Sequence, residues 1–468
     1  MLLALAALVL LPGLLVVRAP FSAVPALSLA FWVLSAWWPP LSGLSRGRVV
    51  GALLLSSFLL ALLRLLPKHE VKPPLGWAAP RSPPPAPRPG LPPPRLLGVP
   101  SVSVLLAGLV LFTPLPLWHH APGKRLAFQT TSARLLVWRD GCPRSAEPLL
   151  PLAPMGAHAP ALATLAADIA RLSGQDPGPS LLVVTVASAS LVLLGLFGLL
   201  ATWAEPRAAA LGSLLALAVL PWPGFLLPWG EGEALLALVF LLPAAALLVG
   251  HGSRSSALAA GLLLGAAALA QPVLTILATA ALAVAALGPS PVESRPRRVR
   301  RLGEAVSLAL VLAGPGLVPL AQALSAREAA AIGSSLRLGE LPAFAMGLLG
   351  ATLGAFVAAR LAPARSRRLG ILAAAAAAVS ALLLVVRVHW WVAEGQLDAP
   401  TRAALARARS GSTVEPLCAP QGVLHWVPAL GGRPAGEPGP WIPSVYADEW
   451  RLRPRRVCRD RLEAFLPP

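Results

Sequence analysis

Apolar runs close to the length of a membrane-crossing helix recur along nearly the whole chain, and no other feature constrains its fold so strongly. They fall near 1–17, 20–38, 48–66, 99–117, 180–203, 207–222, 232–250, 255–270, 272–288, 304–325, 341–361 and 369–386. A spanning helix needs about 20 predominantly apolar residues. Within hydrocarbon, every backbone N–H and C=O must find a partner inside the protein, and a helix supplies its own. The runs therefore predict an all-α polytopic membrane protein with about 12 transmembrane helices. Composition points the same way. Of 468 residues, 56% are hydrophobic and 13% charged, against about a quarter charged in ordinary soluble domains. Mean hydropathy is +0.70. A water-soluble fold could not cover so much apolar surface, which excludes a soluble enzyme, a disordered chain and a coiled coil. The first run has no basic segment before it and no clear small-residue cleavage site after it. It reads as a membrane helix rather than a signal peptide.

Charge sets the orientation. The chain carries 39 Lys+Arg against 20 Asp+Glu, a formal net charge of +19. Its only lysines are Lys68, Lys72 and Lys124. The arginines lie between apolar segments rather than on one soluble module, so nucleic acid is not an expected partner. They mark cytoplasmic helix ends instead. The run 257–287 is too long for one ordinary span and is broken at Gln271-Pro272, where proline removes a helical donor. Two passes put Arg254, the cluster Arg295, Arg297, Arg298, Arg300 and Arg301, and Arg365, Arg367 and Arg368 on one side, the cytoplasm. That parity places 118–179 and 391–468 outside. The short outer loop with Arg46 and Arg48 disagrees mildly.

Four units follow. Residues 1–66 form an amino-terminal three-helix membrane unit, and 67–98 a cytoplasmic linker. The linker holds Pro-Pro-Pro at 83–85 and 92–94 and is stiff and extended rather than helical. Residues 99–390 form the main bundle, with an outer loop at 118–179 that includes a helix near 159–173. Residues 391–468 form a small extracytoplasmic carboxy-terminal domain, opening with a helix near 399–409 that Asp398 is placed to cap. Cys418 and Cys458 share this domain, and an oxidising compartment permits a bridge between them. Cys142 is also outside, so the pairing stays open at this point.

The chain has no GxxxxGK[ST], HExxH or CxxC, and its histidines are scattered apart from His119-His120. The spans lack the regularly buried ionisable groups usual in ion-coupled transport, which weakens a transporter or flippase reading. Polar groups collect on the outer side instead. Trp118, His119, His120, Gln129, Arg134, Arg139, Asp140, Glu147 and His158 lie in the first loop, and Trp229, Glu231 and Glu233 lie before the seventh span. Arg387 ends the last span on the same side.

Several stretches resemble the bacterial multi-pass glycosyltransferases of the GT-C superfamily, nearest the mannosyltransferase-like group. They are Leu11-Pro12-Gly13, Ala133-Arg134-Leu135, Arg139-Asp140-Gly141-Cys142-Pro143 and Glu147-Pro148-Leu149. Others are Gly156-Ala157-His158-Ala159-Pro160, Trp229-Gly230 and Gly261-Leu262-Leu263-Leu264-Gly265 ahead of Gln271-Pro272. The carboxy-terminal stretches are Trp426-Val427-Pro428-Ala429-Leu430-Gly431-Gly432-Arg433 and Tyr446-Ala447-Asp448-Glu449.

The resemblance implies transfer of a sugar from a polyprenyl-phosphate donor to a glycan, lipid or protein acceptor at the outer face of the plasma membrane. It also implies a first-loop acid that serves as general base or helps hold a divalent metal; the cofactor itself stays open. Asp140 and Glu147 are the candidate catalytic residues. Lys124, His119, His120, His158, Trp229, Glu231, Glu233 and Arg387 are the candidate substrate-binding residues. At least one of the four acids is expected to face an outer cavity shared with a histidine and a cation.

The sequence departs from the family pattern at one point. An Asp is expected just after Gly123 and a His at 129, where the chain has Lys124 and Gln129. The runner-up reading is therefore a catalytically inactive relative that binds lipid or supports a glycan-assembly complex.

Overall fold

The computed structural model describes residues 2–13, 20–36, 45–65, 99–112, 119–139, 149–150, 161–219, 226, 231–250, 253–288, 293–324, 386, 390, 392, 396–409, 415–436 and 460–465. The linker 67–98, the expected span 341–361 and nearly all of that at 369–386 lie outside them.

The described chain is mostly helical. Its helices are α1 (Leu2–Leu10), α2 (Val24–Ser35), α3 (Arg46–Leu65), α4 (Val99–Phe112), α5 (Lys124–Arg139), α6 (Ala161–Ser173) and α7 (Pro177–Leu200). They continue with α8 (Pro206–Val219), α9 (Gly232–Gly250), α10 (Arg254–Ala270), α11 (Pro272–Leu287), α12 (Arg295–Leu324), α13 (Ala399–Arg409) and α14 (Gln421–Leu424). Two short strands, β1 (Leu417–Cys418) and β2 (Asp460–Arg461), pair in parallel, with Leu417 opposite Asp460 and Cys418 opposite Arg461.

Three described helices are long and apolar enough to cross a membrane: α7, α9 and the 295–318 part of α12. The helices α2, α10 and α11 are apolar but shorter. The other runs read as spans are shorter helices here or lie partly or wholly outside the described residues. In the first run, α1 ends at Leu10, and Leu11-Pro12-Gly13 turns against α2. There the Gly13 amide donates to Ser28 Oγ at 2.8 Å and the Trp32 indole N–H donates to the Leu11 carbonyl at 2.8 Å.

The main helices alternate in direction. Gly232 faces Thr185, Gly195 faces Leu242, and Gly250 faces Thr202, so α7 and α9 run parallel, with α8 returning between them. The helices α10 and α12 are also parallel: Gly261 lies on Ala305 and Leu308, and Gly265 on Ala309. A Cβ at Gly261 would come within 2.7 Å of the Ala305 carbonyl oxygen. The small-xxx-small spacing is what lets these two backbones close on each other. Between them, the single extended residue Gln271 (φ −153°, ψ 94°) separates α10 from α11. The chain reverses at Gln271-Pro272, so the 257–287 run folds as two helices. The upper end of the bundle is where α7 and α9 begin; the lower end is where they finish, about 28 Å away for the 19 residues of α9.

The segment 118–179 differs most from its sequence reading. It is not an open loop with one helix. Both α5 and α6 are buried along most of their length and pack on each other and on α7. The carboxy-terminal unit then packs on α5. Ala404, Leu405 and Ala408 of α13 share a core with Leu417, Leu424, Trp426, Val427, Ala429 and Leu462, and Ala127 of α5 enters the same core. A wide helical turn at Val427–Gly431, closed by Gly432 at φ 61°, lies between α13 and α5. Arg433 is fully buried beneath it, donating to Asp460 Oδ2 at 2.6 Å and to the Glu415 carbonyl at 3.1 Å.

Candidate functional site

Helix α5 carries the upper end. Gly123, at φ 84°, turns the chain into it. Arg125 and Gln129 are four residues apart and so share a face. They reach the two acids that flank Gly232 at the start of α9. The Arg125 guanidinium pairs with Glu231, and the Gln129 amide N–H donates to Glu233. The approach depends on Gly232: a Cβ there would come within 2.8 Å of Leu162 Cδ2 and 2.9 Å of Leu126 Cδ2. Glu231 is buried and Glu233 half-buried.

Lys124 is exposed at the amino-terminal, positive end of α5. His425 faces it. Burial lowers the His425 pKa, and the Lys124 charge lowers it further. The preceding segment is fixed on the carboxy-terminal unit. Gln396 Oε1 accepts from the His119 and His120 amides at 2.9 and 3.2 Å, and its Nε2 donates to the His120 carbonyl at 3.0 Å. The His120 ring lies 4.0 Å from the Trp426 ring, centre to centre. Its Nε2 accepts from the Leu397 amide at 3.1 Å, which makes Nδ1 the protonated nitrogen, donating to the Ala121 carbonyl at 3.0 Å. Burial lowers its pKa and holds the ring neutral.

Two further carboxylates lock the helices beneath. Asp176 caps α7 by accepting from the Gly178 amide at 2.9 Å. It also receives Arg134 Nη2 of α5 at 3.0 Å and pairs with Arg409 of α13. Arg134, 1% exposed, also donates to the Ala429 carbonyl at 2.7 Å. Burial pulls its pKa down; Asp176 opposes that and Arg409 adds to it. Asp168 of α6, with no exposure, receives Arg46 Nη2 at 2.6 Å and Nε at 3.2 Å, and Arg171 Nη1 at 3.3 Å. The Arg46 that conflicts with the positive-inside count is therefore a buried ion-pair partner, not a topological anchor.

The structure brings Lys124, Glu231 and Glu233 onto the start of α5 and α9, and His119 and His120 onto the carboxy-terminal unit. His119 is exposed. Asp140, Glu147, His158, Trp229, Arg387, Cys142 and Cys458 lie outside the described residues. Cys418 is disulfide-bonded. Among the described residues, no group of three or more His, Cys, Asp and Glu could hold a metal ion. Glu231 and Glu233 are engaged by Arg125 and Gln129, so this donor set does not fit a divalent cation.

Sequence reasoning overlooked Asp168 and Asp176. A single acid in the apolar helical run Ala-Asp-Ile-Ala, with Arg171 three residues on, was a usable signal for the first. Asp176-Pro177 ahead of a long apolar run was one for the second.

No protein-family model matches the chain, and no curated protein matches it in sequence. In structure it is similar to the oligosaccharyltransferase of Archaeoglobus fulgidus. The match to AglB in complex with an inhibitory peptide and a dolichol-phosphate has 12% identity and a TM-score of 0.47, over 71% of this chain and 64% of that one. The apo form gives 12%, 0.49, 72% and 64%, and the form tethered to an acceptor peptide 13%, 0.43, 72% and 63%. The chain spans less than two thirds of the length of these enzymes.

Proposed function

We propose that the chain transfers a sugar from a polyprenyl-phosphate donor to a cell-envelope acceptor at the outer face of the membrane, with the upper end as its working end. The observation that carries this reading is the pair Glu231 and Glu233, held at the start of a membrane-length helix with Lys124 exposed on the neighbouring helix start. An acceptor hydroxyl is a poor nucleophile until its proton is taken. In the proposed step a carboxylate takes that proton as the acceptor oxygen bonds to the sugar's anomeric carbon. The bond from that carbon to the phosphate oxygen breaks, and polyprenyl phosphate leaves with the electron pair. Lys124, at the positive helix end, offsets the charge of the leaving phosphate. The base is drawn from Glu233 and the first-loop acids Asp140 and Glu147. Arg125 fixes Glu231, the more buried neighbour. Cys418 pairs with Cys458 in this reading, closing the β1–β2 end of an extracytoplasmic domain.

One observation favours a second reading. Arg125 and Gln129 engage Glu231 and Glu233, and Lys124 stands where the resemblance leads one to expect the first-loop acid. That suits an inactive relative that binds the lipid without turnover. Purified protein given labelled polyprenyl-phosphate sugars separates the two. The enzyme reading expects release of polyprenyl phosphate, falling at least about 100-fold in one of Glu233→Gln, Asp140→Ala or Glu147→Ala. Binding without release in the wild type supports the inactive relative.

A further inference from the structure

The lower end carries a basic surface with no part in the sugar-transfer reading. Helix α12 opens with Arg295, Arg297, Arg298, Arg300 and Arg301, and Arg254 opens α10. By the parallel register of these helices, Arg254 stands level with Arg298. Two of the arginines close the fold. Arg298 Nη1 donates to the Ala285 carbonyl at 3.0 Å and its other terminal nitrogen to Gly288, at the end of α11. Arg301 donates to the Leu248 carbonyl of α9 at 2.9 Å and to Glu293 at 2.5 Å. Arg300 pairs with Glu304 one turn on. Arg254, Arg295 and Arg297 are exposed and make no hydrogen bond or ion pair among the described residues. They stand where apolar helices begin, at headgroup depth for any span these helices make. Cations at a helix amino terminus also oppose the helix dipole, a penalty that external anions relieve.

We propose that Arg254, Arg295 and Arg297 form a binding surface for anionic phospholipid headgroups of the adjoining leaflet. Charge complementarity selects the occupant. A cluster of arginines flanking spans attracts anionic lipid at close range, with each cation strengthening the contact roughly fivefold. The surface is independent of the sugar-transfer reading, because none of the three residues is near the upper end.

The test uses the full chain purified in a neutral detergent, with its thermal midpoint followed as lipid is added. Phosphatidylglycerol is expected to raise the midpoint, and phosphatidylcholine and inorganic phosphate to leave it unchanged. In the triple variant Arg254→Gln, Arg295→Gln, Arg297→Gln, the concentration of phosphatidylglycerol giving half the rise increases roughly 100-fold. The single variant Arg297→Gln moves it roughly fivefold and guards against a misfolded triple. An equal response to phosphatidylcholine, a full response to inorganic phosphate alone, or wild-type phosphatidylglycerol sensitivity in the triple variant overturns the proposal.

Discussion

At the upper end of α7 and α9, charged groups meet one another inside the protein; at the lower end several face outward with no partner among the described residues. Asp168 and Asp176 are each held by two arginines, and Glu231 by Arg125. These contacts link segments far apart in sequence: Arg46 is 122 residues from Asp168, and Arg409 is 233 from Asp176. Buried charges are tolerable only with partners in good geometry. At the lower end, Arg300–Glu304 is a local pair on one helix, and Arg254, Arg295 and Arg297 stand free among the described residues. The difference separates two uses of the same side chain. Arginine at the upper end fixes which helices touch. At the lower end Arg298 and Arg301 also tie helix ends together, while Arg254, Arg295 and Arg297 are left for solvent and headgroups.

The largest effect should come from breaking an upper-end pair. Asp168→Ala leaves Arg46, 4% exposed, without its carboxylate. Stability should fall by about 3–5 kcal/mol, read from thermal or denaturant unfolding in detergent. A change no larger than that of a surface substitution would mean the pair does not hold α3 to α6.

A smaller effect concerns pH. The pKa of buried His120 is lowered below its ordinary 6.5. The folded state therefore binds fewer protons than the unfolded one, and stability rises with pH across that window. The contribution is full above pH 6.5 and is lost as pH falls from there toward the folded value. His425 adds in the same direction. The thermal midpoint should drop between about pH 7.5 and about pH 5.5, and His120→Gln should flatten the drop. An unchanged pH profile in that variant would remove His120 from the account.

The smallest effect lies at the other end. Arg300→Gln removes an exposed pair and should change stability by no more than about 0.5 kcal/mol in the same unfolding measurement.

Much of the helical frame was legible from hydrophobic runs and breakers. The helix read near 399–409 is Ala399–Arg409, that near 159–173 is Ala161–Ser173, and Gln271-Pro272 divides two helices. Helix α5 was not legible. Its sequence, Lys-Arg-Leu-Ala-Phe-Gln-Thr-Thr-Ser-Ala-Arg, has no apolar stripe because its polar groups are satisfied inside the protein. Thr130 and Thr131 donate to the Leu126 and Ala127 carbonyls of the same helix, and Arg134 reaches the Ala429 carbonyl. A helix buried by polar contacts on several sides reads in sequence as a solvated loop. For the candidate site, the clustering of Glu231 and Glu233 on the upper end was legible, but their partners Arg125 and Gln129 were not, lying 106 and 104 residues earlier.

In the proposed orientation, the end with paired acids faces outward and the end with free arginines faces the cytoplasm. Cysteines placed singly at exposed Gly422 and Ser294 test it most directly, with a membrane-impermeant maleimide on intact cells and unsubstituted protein as background. Labelling is expected at 422, and at 294 only once the membrane is opened. Labelling at 294 with protection at 422 would invert the molecule, and the outer-face sugar-transfer reading would fall with it.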